Sequence, residues 1–408
     1  MKNKNIIYAD IVICGGALAG ISTALSLQRL NLKILIVDPI SIIDLVNQDN
    51  RTTALAAGPT KFYKKHGLWD KIKTKAEPIN KINVVDGNSN AKINFNIEEL
   101  KKVLNIRDVN SLGYVVENAH LIKCIDDRIK INNKNRKFNR IKAKVLSMTV
   151  DNSFVAIELD NNKTVSASLL IAADGRNSYV RNLSGIEEKK SKYEQWAFVC
   201  RVKHKESHKN LALEKFLPGG PLAVLPMIKK NDQNFSSVIW SDHKSITFDR
   251  YKSACGNSRK ITYELERHVK DWIGEIQEIS FYSTYPLELI YAKNFISERL
   301  VLVGDAAHGL HPIAGQGFNL AIRDIDLLSK LILRRLTLGL DIGGKKFLSE
   351  YQNLRRIDTD NMIIATHNLN QFFRITNPSV KLFRRFGISL VEKSPSLKRA
   401  FMMYAMGL

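Results

Sequence analysis

Apolar and polar positions near the start of the chain fall into blocks sized for secondary structure. Ala9–Cys14 is a short apolar run, Gly15–Gly20 a tight glycine-rich loop, and Ile21–Leu30 carries apolar residues at helical spacing. Lys33–Val37 is a second apolar run that ends at Asp38. These blocks predict a strand–helix–strand unit whose parallel sheet needs helices over its faces. Residues 79–95 alternate as strands do, Glu117–Ile125 reads as helix, and Lys142–Leu170 reads as three strands with turns near Asp151 and Asn161. From Tyr193 to about Tyr285 the chain reads mostly as strands, punctuated by Pro218-Gly219-Gly220 and Lys229–Asp232. Another buried-strand pattern, Arg299–Val303, runs into a second glycine-rich loop and then a long helix from about Phe318 to Leu338. Residues 345–408 are largely helical and basic.

A chain of 408 residues exceeds one ordinary core, so two domains, or two and a helical tail, are expected. Its 44% hydrophobic and 25% charged residues are those of a folded globular protein. Cys14, Cys124, Cys200 and Cys255 are widely spaced and form no C-x-x-C pair, so neither a metal site nor a disulfide framework is expected, and a reducing cytoplasm fits. The 62 Lys and Arg against 40 Asp and Glu give a formal charge of +22. That charge suits anionic lipid or acidic ligands, or it reflects compositional bias in a chain rich in Asn and Ile. No arginine-rich run, zinc-finger spacing or RNA-binding aromatic pattern points to nucleic acid. Asp10 interrupts the apolar start, which therefore reads as a strand rather than a signal peptide, and no apolar run is long enough to span a membrane.

Three constellations carry chemistry. In the first, Gly15-Gly16-Ala17-Leu18-Ala19-Gly20 leads from strand to helix and offers free backbone N–H groups to a pyrophosphate, while Asp38 can take ribose hydroxyls. Ala17 stands where the usual middle glycine is expected. The second is the apolar strand Leu169–Ala173 followed by Asp174-Gly175-Arg176-Asn177-Ser178-Tyr179-Val180-Arg181, a turn that alone is commonplace. In the third, Arg299–Val303 delivers Gly304 and Asp305, and Pro312 then precedes Gly315-Gln316-Gly317-Phe318-Asn319 at the start of the long helix. Asp305 suits a sugar-alcohol hydroxyl, and that helix N-terminus suits negative charge. His308 and His311 lack carboxylate or thiolate partners at ligand spacing, so no metal is expected.

Taken in this order and spacing, the three motifs resemble those of the class A flavoprotein monooxygenases. Arg51-Thr52-Thr53-Ala54-Leu55, Gly113–Asn118, Phe216–Met227 and Tyr351–Asp358 make the chain similar to the ubiquinone-biosynthesis hydroxylase family, the UbiH, UbiF and UbiI group. The likeness covers nearly the whole chain. It implies an α/β fold: an FAD-binding Rossmann-like domain of the para-hydroxybenzoate-hydroxylase type, an inserted β-sheet substrate domain and a helical C-terminal extension. The expected division is 1–75, 105–185 and 286–340 for the FAD domain, 76–104 and 186–285 for the substrate sheet, and 341–408 for the helical region.

The resemblance further implies FAD as cofactor, NAD(P)H as electron donor and O2 as co-substrate. Gly15, Gly16, Ala17, Ala19 and Gly20 would hold the pyrophosphate, Asp38 the adenosine ribose, and Arg51 the flavin end. Gly304 and Asp305 would hold the ribityl or pyrophosphate portion, and Pro312, Gly315, Gln316, Gly317 and Asn319 would face the flavin. Asp174 and Gly175 would serve the cofactor cleft. The oxygen transfer would be carried by a flavin C4a-hydroperoxide, so no catalytic side chain is assigned. No second G-x-G-x-x-G follows a strand, so a separate NAD(P)H domain is not expected. Leu225, Pro226 and Trp240 are candidate pocket residues, each equally readable as sheet core.

The implied substrate is a polyprenylated phenol, with other ubiquinone-biosynthesis proteins as possible partners and no nucleic acid. Two other enzymes fit the scaffold, a hydroxylase of a soluble phenol and a flavin reductase of an isoprenoid. A non-catalytic FAD-fold scaffold is the third alternative. In 381–408, Lys381, Arg384, Arg385, Lys393, Lys398 and Arg399 interleave with Leu382, Phe383, Phe386, Leu390, Phe401, Met402, Met403 and Met406. Such a segment either lies on an anionic membrane, making a cytoplasmic protein peripheral, or packs on the fold.

Overall fold

The computed structural model describes residues 5–87, 89–104, 110–133, 137–310, 315–375 and 377–407. Its first sheet follows from the all-apolar runs. Asn5–Cys14 lies between Lys163–Ala172 and Ile34–Asp38, all parallel, with Leu300–Leu302 and Phe138–Lys142 extending the parallel set at either side. Ile11, Val12, Ile13 and Ile34–Val37 are buried because helices cover both faces. The helix after the first strand runs Leu18–Leu27 and ends in a short 3-10 turn, Gln28–Leu30.

The second sheet is mainly antiparallel. Its order is His308–Gly309, Ile276–Ala292, Glu188–His204, Gln233–His243, Gly220–Lys230, Leu211–Leu217, Lys81–Asp86 and Lys92–Asn96. The expected boundary at 285/286 falls inside the strand Ile276–Ala292, which pairs with Glu188–His204 on both sides of that point. A small third sheet joins Thr52–Ala56, Gly113–Glu117 and Ala76–Ile79.

Two helices, Lys244–Cys255 and Ser258–Ile273, replace strands expected within 193–285. Their signal is the spacing of Ile261, Leu265, Val269 and Ile273, which puts four fully buried side chains on one helical face. That face packs on Phe198, Leu222, Val224, Val238 and Trp240, and so defines the outer side of the second sheet. The other side, bearing Ala212, Leu225, Met227 and Phe235, looks toward Ala54, Ala57 and the C-terminal helix.

The C-terminal region comprises Lys345–Arg374, Pro378–Lys393 and Pro395–Met406. Arg384 and Lys398 face inward, contrary to a uniformly solvated basic face. Arg384 is buried against the carboxylate of Asp86 at 2.7 Å and donates to the carbonyls of Phe372, Phe373 and Ile375. Lys398 is buried between Glu99 and Glu392 at 3.1 and 3.4 Å. Each cation occupies the core because a distant carboxylate meets it there.

Asp86→Ala would leave the Arg384 guanidinium buried without its counter-charge. Equilibrium urea unfolding should show a loss of about 3–5 kcal/mol relative to the unaltered protein, whereas a surface role for Arg384 would give almost none.

Candidate functional site

The register of the parallel sheet gathers the three sequence motifs at one edge. Cys14 pairs with both Ala172 and Val37, and Ala172 pairs with Leu302. The loops that follow these strands therefore emerge side by side, where open α/β sheets bind ligands. Gly15 has φ +98°, and a Cβ there would lie 2.3 Å from the Ala173 carbonyl oxygen. A Cβ on Gly20 would lie 1.8 Å from the Gly15 carbonyl oxygen. Both positions exclude any larger residue. Ala17, by contrast, is exposed with an ordinary φ of −76°, so its methyl group strains nothing.

Asp38 is buried and already accepts two backbone N–H groups, from Gly16 at 2.5 Å and Ile40 at 2.7 Å. Arg140, absent from the expected site, donates to the carbonyls of Gly16 and Ile40 and lies across the same loop. The carboxylate of the second motif is held within its own turn. Asp174 accepts from Val180 N at 3.1 Å and from Oγ of Ser178 at 2.5 Å, the residue that caps the short helix Tyr179–Leu183, and burial raises its pKa. Gly175, at φ +84°, faces open space.

The arginines of that motif join it to the third. Arg181 is buried, paired with Glu188, and donates to Ala306 O at 2.8 Å. Arg176 donates to Leu310 O and Glu288 O, and its Nε lies 3.8 Å from the Asp305 carboxylate. Gly304 is wedged against Ala321 and Ala19, which brings the first and third motifs into contact. Asp305 is half-exposed toward Gly317. Arg51 pairs with Asp49 at 2.7 Å, and this hydrogen bond holds its pKa high, with smaller contributions from Tyr285 and Asp305 nearby.

Gly315 has φ +62° and starts the helix Gln316–Thr337. Asn319 is committed to the backbone: it accepts from Ala56 N and donates to Ala54 O and Gly315 O, clamping the turn to the strand after Arg51. Gln316 donates to Ala405 O of the C-terminal helix. Pro312 lies outside the described residues.

Beneath this edge sits Asp324, a residue the motifs did not mark. It accepts from Gly304 N at 2.9 Å, His308 Nε2 at 2.7 Å and Arg355 Nε at 2.6 Å. Burial works to raise its pKa, but His308 and Arg355 outweigh it and hold the carboxyl below its ordinary value. Arg355 and Asp358 belong to the Tyr351–Asp358 segment, and Asp358 also takes Arg323. Only the fold reveals this, since Gly304, Asp324 and Arg355 are far apart in sequence.

Of the pocket candidates, Leu225 lies on the face toward Ala54 and Met227. Trp240 does not. Its ring is buried on the outer face under the Arg250 guanidinium, 3.5 Å from the ring centroid, and beside His268. Strand alternation puts Pro226 on that same outer side with Val224.

The edge fits a long dianionic ligand. Both helices that start there, Leu18–Leu27 and Gln316–Thr337, lack a side-chain cap and any acidic residue in the first turn. Neither helix therefore spends a side-chain cap on its positive end, which suits phosphate or an anionic ring edge. A family model described as an FAD binding domain matches residues 8–357.

The chain belongs to the FAD binding domain family. Ubiquinone hydroxylase UbiL of Rhodospirillum rubrum is 34% identical over 98% of this chain and 90% of its own length. The 3-demethoxyubiquinol 3-hydroxylase of Escherichia coli is 27% identical, with 98% of each chain covered. Among solved structures, p-nitrophenol 4-monooxygenase PnpA from Pseudomonas putida shares the fold, with a TM-score of 0.79 at 18% identity over 98% of this chain and 97% of that one. The protein is an FAD-dependent monooxygenase.

Asp305→Ala removes an acceptor facing the cleft at a cost of about 1–3 kcal/mol of cofactor binding. Titration by flavin fluorescence should show FAD affinity lower by about tenfold to a hundredfold with an unchanged thermal midpoint. Unchanged affinity would detach the Gly-Asp turn from the cofactor.

Proposed function

We propose that this enzyme hydroxylates the aromatic ring of a polyprenylated phenol in ubiquinone biosynthesis, using NAD(P)H and O2. The observation that carries this reading is the apolar side of the second sheet, with Leu225, Met227 and Phe235, packed toward Ala54, which itself touches Gly315. The likeness to ubiquinone hydroxylase UbiL and 3-demethoxyubiquinol 3-hydroxylase supports the substrate class.

In this reading Gly15–Gly20 and the helix behind them hold the FAD pyrophosphate, and Asp38 exchanges a loop N–H for ribose hydroxyls. Asp305 would take the ribityl chain, Arg51 would stand at the flavin end, and the Gly315–Asn319 turn would offer its N–H groups to the flavin. Reduced FAD supplies the electrons that activate O2 for insertion into the ring. The protein's share is placement and dryness. Asn319 holds the turn against the strand Thr52–Ala56, and the apolar sheet face excludes water from the ring.

The proposal extends to the membrane. No described helix is long and apolar enough to cross one. Pro378–Lys393 and Pro395–Met406 nevertheless expose Leu382, Phe383 and Phe386 at 71%, 70% and 68%, with Leu390 and Phe401 beside them. Arg385, Lys393 and Arg399 are exposed among them, which matches an anionic bilayer rather than an apolar protein surface. Such a surface is where a prenylated substrate resides.

Incubation with a prenylated phenol, NAD(P)H and O2 should yield a product heavier by one oxygen atom. A gain of two hydrogens would mark a reductase, and turnover of soluble phenols alone would exclude the prenyl chain from recognition.

Co-sedimentation with phosphatidylglycerol vesicles should be lost by changing Lys381, Lys393 and Arg399 to Gln, since each such charge contributes on the order of 1 kcal/mol at low salt. Binding that persists in the variant, or is absent from the unaltered protein, would assign the tail to packing.

A further inference from the structure

One carboxyl on the inner side of the second sheet stands apart from the cofactor edge. Glu214 lies in Leu211–Leu217, directly opposite Ala223. It sits between Ala212, which packs toward Leu225 and Met402, and Phe216, which stacks on Phe373 at 3.8 Å between ring centroids. Alternation therefore turns its side chain to the same side as Ala223 and Leu225. On this side Glu214, Ala223, Leu225 and, on the neighbouring strand, Ile239 are each only partly covered. The fully buried set Leu213, Leu222, Val224 and Trp240 is on the other side. The inner side is thus a partly open apolar floor between the long helix Lys345–Arg374 at one end and the C-terminal helix at the other.

Among the described residues, no hydrogen bond or ion pair to the Glu214 carboxyl is found. The carboxyl is thus open to the floor, where a ligand that displaces water must offer it a hydrogen bond in return. Burial pushes its pKa up to about 8, so at neutral pH it is mainly the acid, able both to donate and to accept.

We propose that Glu214 is the hydrogen-bonding partner of the substrate's ring hydroxyl, and that it decides which ring carbon faces the flavin. This rests on the reading of the inner sheet side as the phenol site. A neutral carboxyl and a phenol form a directional pair inside an apolar pocket, where an unmade hydrogen bond is expensive. The apolar floor leaves the ring free to rotate, and one polar contact at its margin removes that freedom. Met402 and Met406 close the far side of the same apolar cluster with adaptable thioether chains.

The test compares Glu214→Gln with Glu214→Leu in the full-length, FAD-loaded enzyme. The substrate is whichever phenol the unaltered enzyme turns over. Gln keeps a neutral donor and acceptor, and should stay within about threefold of the unaltered KM. Leu should raise KM by about tenfold or more, divert reducing equivalents to hydrogen peroxide and yield a mixture of ring positions. Its FAD affinity and its thermal midpoint should be unchanged, because the partly open carboxyl has no partner within the fold to lose. Unaltered KM, coupling and product position in the Leu variant would overturn the proposal, as would a lowered thermal midpoint in both variants with kinetics intact. Should Leu fail to fold, Glu214→Met is read by the same criteria. Failure of the prenylated-phenol reading would appear in the unaltered enzyme's substrate panel, whereas failure of this inference appears only in the variants.

Discussion

A buried carboxylate must be met by enough donors to replace water, and the cofactor edge of this protein is organised around one that is. Asp324 receives a backbone N–H from Gly304 and side-chain donors from His308 and Arg355. Gly304 and His308 belong to the Gly-Asp turn and Arg355 to the helix Lys345–Arg374, so satisfying the charge fixes these two and the helix Gln316–Thr337, which carries Asp324, relative to one another. Removing any donor would leave charge stranded in the core, and the geometry of the turn is therefore tied to the stability of the fold. Gly304, squeezed between Ala19 and Ala321, extends the same constraint to the glycine-rich loop Gly15–Gly20.

From that anchor the two halves of the site take shape. Polar and backbone groups gather at the sheet edge, where uncapped helix ends and Asp305 face outward. Apolar groups gather opposite, on the inner side of the second sheet. Asn319 joins the halves by holding the strand Thr52–Ala56 to the turn at Gly315. A flavin enzyme needs this separation, because the cofactor's phosphates want donors while the reacting ring wants water kept away. The C-terminal helix belongs to both halves: Gln316 and Arg323 hold its last carbonyls, and Met402 and Met406 enter the apolar cluster.

Much of this architecture is legible in the sequence. The glycines at 15 and 20, the apolar strands and the Gly-Asp turn answer to local requirements: a positive φ, a close approach, a strand buried on both faces. Such requirements leave their mark within a few residues. The helix Ser258–Ile273 carries its signal in the spacing of four apolar residues, yet the surrounding strands mask it. The hydrogen bonds of Asp174 to Ser178 and Val180 are not legible in the sequence, because an Asp-Gly turn does not say which way the following residues point.

The sequence by itself determined the parallel FAD-binding unit, the family and the motifs that meet at its edge, since these rest on short-range backbone geometry and on residue types that few other folds combine. Only the tertiary structure decided which carboxylates and cations face inward and which face of the second sheet the helices cover. A strand's alternation names two faces without saying which partner covers each, so Trp240 could be placed under Arg250 only once the helices were in position. Arg384 and Lys398 likewise left the basic surface because Asp86, Glu99 and Glu392 waited across the fold. Burial of a charge is settled by its distant partner, and distance along the chain carries no record of that.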